Sequence, residues 1–144
     1  MARLTLGQAT KIVEAALAKG RAMGLAPLTV AVLDDGGHLK AFAREDGSGI
    51  LRPQIATGKA WGALGMGFGS RTFVKRAADN PSFFTALYAA SEGRLFPVPG
   101  GVLIKDKAGE VLGAVGISGD TSDKDEACAL AGIEAAGLAG EPGS

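Results

Sequence analysis

The stretch from Pro97 to Gly137 constrains the fold more than any other part of this chain. It passes through Pro99-Gly100-Gly101, an apolar run Val102–Ile104, the polar turn Asp106-Lys107-Ala108-Gly109, and a second apolar run Val111–Ile117. Two apolar runs around such a turn spell a β-hairpin. A glycine-rich corner, Gly116–Gly119, follows. Ser122 or Asp123 then caps a helix of small residues from about Lys124 to Leu138. This layout sets the amides of Gly100 and Gly101, and the carboxylates of Asp125 and Glu126, at the ends of elements that could fold together. Sites are commonly assembled at such ends.

The rest of the chain is as regular. Thr5 and Gln8 form a capping box, and Ile12, Val13, Ala16, Leu17 and Met23 recur behind it at helical spacing. A first helix over about Leu6–Met23 follows, stopped by Gly24. Leu28–Leu33 is apolar and β-branched, Asp34-Asp35-Gly36-Gly37 is turn chemistry, and His38–Ala43 alternates, so these residues predict a second hairpin. On its return strand Leu39, Ala41 and Ala43 share one face, and His38, Lys40 and Phe42 the other. Leu51–Met66 is helical in pattern; Gly58, Gly62 and Gly65 weaken its propensity but let another backbone come close. Shorter helices are expected around Arg71–Ala78 and Ser82–Ser91, and Gly140–Ser144 is expected to be loose. Hairpin strands pair antiparallel. The order of helix, two strands, helices, two or three strands and helix therefore predicts one α+β domain over residues 1–144, not the βαβ order of a dinucleotide-binding fold.

Composition narrows the function. Lys and Arg number 15, as do Asp and Glu. With no net charge and no basic stripe, nucleic acid is not the expected partner. The apolar stretches are too short and interrupted for a membrane span. The start, MARLTLGQATKIVEAALAK, lacks a signal-peptide apolar core, so a cytoplasmic location is expected. Cys128 is the single cysteine, which excludes an internal disulfide and predicts a buried, inert thiol. Zero net charge with 47% hydrophobic residues points to surface buried in a homo-oligomer.

Several residues could carry chemistry. His38, the only histidine, follows a Gly-Gly turn at a strand start. It reads as an axial ligand or general base, or simply as a polar residue beside a turn. One histidine cannot build a multi-histidine metal cage. Arg44 and Asp46 at a strand end could hold a ligand carboxylate or pin the Gly47 turn. Lys59 could bind an anion, pair with Asp46 or Glu126, or be solvated. Gly100 and Gly101 could present amides to a ligand oxygen, or serve only as a strand-entry turn. Asp123, Asp125 and Glu126 suit a helix N-terminus through the dipole alone, with Glu126 the best base among them.

In combination, GGHLKAFAREDG, ATGKAWGALGMG, PVPGGVLI, GEVLGAVGISG and DEACALAGIEA make the chain resemble the GlcG/HbpS family over nearly its whole length. The resemblance implies a central antiparallel sheet of about five strands flanked by helices. It implies homo-oligomers, even-numbered and up to octamers. It also implies haem or corrinoid (cobalamin) binding, redox sensing or products of glycolate operons as activities. By motif, the family's recurrent polar positions fall here on His38, Arg44, Asp46, Lys59, Gly100, Gly101, Asp125 and Glu126. Glu45 stands where members carry an apolar residue. Haem-binding members can use a histidine near the N-terminus; the first helix here has none, so His38 is left as the only imidazole for a tetrapyrrole.

The leading expectation is a small-molecule-binding homo-oligomer for an anionic or carbonyl metabolite. Arg44, Asp46, Lys59, Asp125 and the Gly100-Gly101 amides would surround the ligand, and Glu126 or His38 would move a proton if the protein is an enzyme. The alternatives are a haem or corrinoid binder with His38 as metal ligand, and a non-catalytic accessory subunit.

Overall fold

The computed structural model describes residues 3–144. Helix α1 (Leu6–Ala22) starts on the expected box: Gln8 N donates to Thr5 Oγ1, and Thr5 N donates to Gln8 Oε1, each at 3.0 Å. It buries Ala9, Ile12, Val13 and Ala16. Met23 leaves that face, because it is the C-cap and sits half in solvent. Strands β1 (Thr29–Asp34) and β2 (Leu39–Arg44) form the first hairpin. Asp34 Oδ1 accepts from the amides of Gly36 and His38 across its turn.

Helix α2 (Arg52–Met66) follows and stops at Gly67, whose φ of 83° only glycine adopts without strain. Helices α3 (Arg71–Asp79) and α4 (Pro81–Ala90) come next, with Asn80 capping α4. Strands β3 (Gly101–Lys105) and β4 (Val111–Ser118) form the second hairpin. Helix α5 (Ser122–Ala135) has Thr121, not Ser122 or Asp123, at its N-cap. The cap function comes from further in, since Asp125 Oδ1 accepts from Asp120 N.

The expected loose tail is a correction. Ala139–Glu141 is a short strand, β5, paired antiparallel with β3. Glu141 explains why it stays down: its carboxylate accepts from Gly69 N at 2.7 Å and from Gly143 N at 3.1 Å. Ser144 N donates to Thr72 Oγ1. Three residues are too few to show a strand period.

The five strands make one antiparallel sheet in the order β2-β1-β4-β3-β5. Side chains alternate across it. Val30, Val32, Val102, Ile104, Val115 and Ile117 join the core under α1 and α5. Leu33, Leu103 and Ala114 meet Ala60 and Ala63 of α2 on the other face. There the helix lies almost on the strands. A Cβ at Gly116 would fall 1.7 Å from the Ala56 carbonyl oxygen, and one at Gly101 would fall 2.1 Å from that of Lys59. Glycine within these strands is thus the condition for close packing of α2. Phe73, Phe84 and Leu95 form a separate aromatic cluster between α3, α4 and the following loop. Among the described residues no helix is long and apolar enough to cross a membrane.

Candidate functional site

The eight sequence-derived positions fall into four places. Lys59, Asp125, Gly100 and Gly101 come together inside the molecule. Lys59 projects from α2 and is 2% exposed; Asp125, in the first turn of α5, is 1% exposed. Lys59 Nζ donates to Asp125 Oδ2 at 3.3 Å and to the Ile117 carbonyl at 2.8 Å. Gly100, with φ 115°, lies directly against it: a Cβ there would sit 2.9 Å from Nζ. Gly101 N donates to Ser70 Oγ, which in turn donates to the Val98 carbonyl. Burial pulls the Lys59 ammonium below its usual range despite the neighbouring carboxylate. Burial likewise pushes the Asp125 carboxyl above its usual range, against the pull of Lys59 and of the Asp120 amide. The lysine is paired with Asp125, not with Asp46 or Glu126. Through these bonds the cluster ties α2, β4 and α5 together.

Arg44 and Asp46 lie elsewhere, in a shallow depression of about 430 Å³ shared with Arg21, Pro27 and Glu45. Arg44 donates to the Ser48 carbonyl at 2.7 Å and pins the turn that way. Among the described residues Arg44 and Asp46 form no ion pair. Glu45 is the residue that crosslinks here. It accepts from Leu28 N at 2.7 Å and pairs with Arg21 at 3.1 Å.

Glu126 lies at a third place, where it accepts from Arg71 Nε at 2.9 Å. Arg71 also pairs with Asp123, and these two carboxylates hold the guanidinium firmly protonated. The set joins α3 to α5.

His38 occupies the fourth place, at the opposite end of β2 from Arg44. Its side chain is 82% exposed, and Nδ1 lies 3.4 Å from Asp34 Oδ1. Burial would raise the Asp34 carboxyl, but the His38 and Gly36 amides and the imidazole outweigh it and hold the group low. Nε2 has no partner among the described residues. Beside this turn Asp35, Gly36, Gly37, Trp61, Leu64 and Gly65 line a hollow of about 180 Å³. Trp61 is its wall: a Cβ on Gly37 would touch the indole at 3.3 Å. On its far side Trp61 carries the Arg94 guanidinium, 4.0 Å from the ring centroid. Asp34 and Arg94 were not singled out in the sequence. For Asp34 a signal was there, a carboxylate four residues before the lone histidine across a Gly-Gly turn. For Arg94 there was none, because its partner is 33 positions away in the chain. Among the described residues no group of three or more His, Cys, Asp and Glu side chains is placed to hold a metal ion.

The family model described as "Haem degrading protein HbpS-like" matches residues 4–134. The chain belongs to the HbpS-like family. A curated relative of this HbpS-like protein is an uncharacterized 15.0 kDa protein of the dhaT–dhaS intergenic region of Citrobacter freundii. It is 27% identical over 134 residues, 93% of this chain and 92% of the relative. The crystal structure of a double mutant of Streptomyces reticuli HbpS is similar with a TM-score of 0.79 and 28% identity, over 93% of this chain and 87% of that one. The crystal structure of a PduOC:heme complex is similar in fold with a TM-score of 0.84 and 20% identity, over 95% and 97% of the two chains. The expected α+β fold with its five-stranded antiparallel sheet is the one found.

Proposed function

We propose that this HbpS-like protein binds haem or a closely related metal-bearing tetrapyrrole through the imidazole of His38. The carrying observation is the Asp34–His38 pair. A ligating histidine is commonly oriented by a carboxylate at its second nitrogen, which fixes the tautomer and leaves the other nitrogen basic. Here Asp34 faces Nδ1 at 3.4 Å, and Nε2 points away from any described partner.

The hollow beside the His38 turn, about 180 Å³, suits part of one face of the group. A tetrapyrrole offers a flat apolar face, an iron that takes an axial nitrogen, and carboxylate substituents. Trp61, Leu64 and Gly65 supply an apolar surface next to the His38 turn. When bound, the iron would supply redox and ligand-exchange chemistry; the chain's part is to orient His38 and cover one face. The family description, and the haem named in the PduOC complex, support the reading. Exposed Leu39, Phe42, Ile50 and Leu51 support self-association, and an even-numbered homo-oligomer is part of the proposal.

Titration with ferric haem tests it. The expected result is a saturable shift of the Soret band that is lost in His38→Ala and weakened in Asp34→Ala, about tenfold or more. A Soret shift unchanged in His38→Ala would overturn the assignment, and so would no shift in the wild-type protein.

A further inference from the structure

The loop between α4 and β3 builds a second cavity, which shares only Trp61 with the hollow of the haem reading. It measures about 400 Å³, within the range of small-molecule pockets. Pro53, Gln54, Thr57 and Trp61 of α2 form one wall, and Glu92 and Arg94 of the loop form the other. We propose that this cavity is a binding site for a small planar carboxylate, with Arg94 as the clamp.

Arg94 is positioned as an anion clamp is expected to be. Its Nε donates to the Ser91 carbonyl at 3.0 Å, and its Cζ rests 4.0 Å from the Trp61 ring centroid. One hydrogen bond and one stacking contact therefore fix the plane of the guanidinium. Its other nitrogens keep their donors for a second, fork-like partner. The nearest carboxylate, that of Glu92, is 4.0 Å from Nη2 and mostly in solvent. Such a contact is too long for a good charge-assisted hydrogen bond, so Glu92 leaves the cation available.

The backbone of the lip follows from the way α4 ends. Glu92 has φ 56° and is the one non-glycine residue with positive φ among the described residues. Gly93 follows at 77°. The turn is locked by hydrogen bonds from Gly93 N to the Tyr88 carbonyl at 2.8 Å and from Arg94 N to the Ser91 carbonyl at 3.1 Å. This is the left-handed cap that commonly ends a helix, with Glu92 N bonded to the Ala89 carbonyl and Gly93 N to that of Tyr88. Here it turns the chain so that Arg94 comes back over Trp61.

The shape of the cavity selects the ligand. Gly58 leaves room for the Phe96 ring, which comes within 2.3 Å of where a Cβ would be. The aromatic surface of the cavity itself is the Trp61 indole. An existing stack of indole and guanidinium is extended most naturally by a third flat group. Gln54 and Thr57 line the same cavity and offer an amide and a hydroxyl to a second polar substituent. The chemistry is that of a one- or two-ring aromatic or heteroaromatic acid.

Trp61 is the only tryptophan, so its emission reports on the site. Benzoate is the probe, with benzamide and cyclohexanecarboxylate as controls, and calorimetry provides a readout that does not depend on the indole. The expected result is saturable benzoate binding, about tenfold weaker for benzamide, which lacks the charge. Cyclohexanecarboxylate, which lacks the flat ring, should also bind more weakly. Arg94→Gln should weaken benzoate about tenfold or more, and Arg94→Lys should fall between, since it keeps the charge and loses the fork. Circular dichroism checks that both variants fold. His38→Ala should bind benzoate like the wild type, which separates failure of this site from failure of the haem reading. No saturable binding up to about ten millimolar benzoate, equal affinity for benzoate and benzamide, or wild-type affinity in Arg94→Gln would each overturn the proposal.

Discussion

Removing Lys59 should unfold this protein more readily than removing almost any other charge, and acid should partly reverse the effect. At 3.3 Å the gross attraction of the Lys59–Asp125 pair is about 5 kcal/mol at an effective dielectric constant near 20. Burying two ions costs several kcal/mol each, so the intact pair contributes little net stability. A single deletion is different, because it strands the other charge. Lys59→Met leaves a carboxylate that is 1% exposed and an Ile117 carbonyl without its donor. The expected loss is about 3–5 kcal/mol. Asp125→Asn keeps an acceptor for the Asp120 amide and should cost about 3 kcal/mol. The double variant strands no charge and should cost well under the sum, with a coupling of at least about 2 kcal/mol.

The pH arm has a definite sign. Asp125 titrates above the ordinary 3.8 in the folded state, so the folded chain holds that proton more tightly than the unfolded chain. Its contribution to stability is then full below 3.8 and lost as pH rises through the folded value. Taking away Lys59 removes an attraction that held the carboxyl down, which widens the window upward. The penalty of Lys59→Met should therefore shrink as pH falls from neutrality toward the ordinary carboxylate value. Urea unfolding followed by Trp61 emission and circular dichroism, at fixed protein concentration, measures all of this. A Lys59→Met loss under about 1 kcal/mol, or strict additivity in the double variant, would refute the reasoning.

Two further outcomes follow from packing. Cys128 is fully buried, and burial with Asp125 nearby pushes its thiol to about 11; labelling by a disulfide reagent in native buffer should be slow and should accelerate with added urea, whereas rapid labelling of the native protein would contradict the burial. Gly116→Ala forces a methyl group to within 1.7 Å of the Ala56 carbonyl oxygen, so α2 has to lift from the sheet at about 3 kcal/mol or more. Gly109→Ala is the control: its φ of 84° disfavours a side chain but nothing lies within 4 Å, so it should cost about 1 kcal/mol. Equal losses at the two glycines, read by thermal unfolding, would remove close packing as the explanation.

The parts of the fold that could be read from sequence are those set by neighbours in the chain. Asp34 to Gly37 and Asp106 to Gly109 announce their hairpins because turn residues act locally. The apolar runs of β1 and β4 announce strands buried on both faces, because such a run is local too. β5 gave no signal, because Ala139–Glu141 is held by a carboxylate reaching Gly69, 72 positions back. The N-cap of α5 was placed one or two residues late for a related reason: the side chain that satisfies the helix start belongs to Asp125, inside the first turn.

The candidate site shows the same division more sharply. Residue type identified Lys59, Asp125 and His38 as polar groups in company with glycine, but type says nothing of depth. Gly100 and Gly101 looked like amides offered to a ligand. In the folded protein they are the gap that lets Lys59 and the α2 backbone reach the strands. A cation 2% exposed, already bonded to a carboxylate and a carbonyl, is closed off from an incoming molecule by the protein packed around it. A half-exposed cation such as Arg94, fixed in plane and facing a carboxylate only at 4.0 Å, loses almost nothing on taking a ligand anion. The same reasoning sets the exposed His38 apart from the buried cluster. Both proposed sites therefore lie on the outer face of α2 and the two loops that flank Trp61, while the charges beneath α2 tie that helix to β4 and α5.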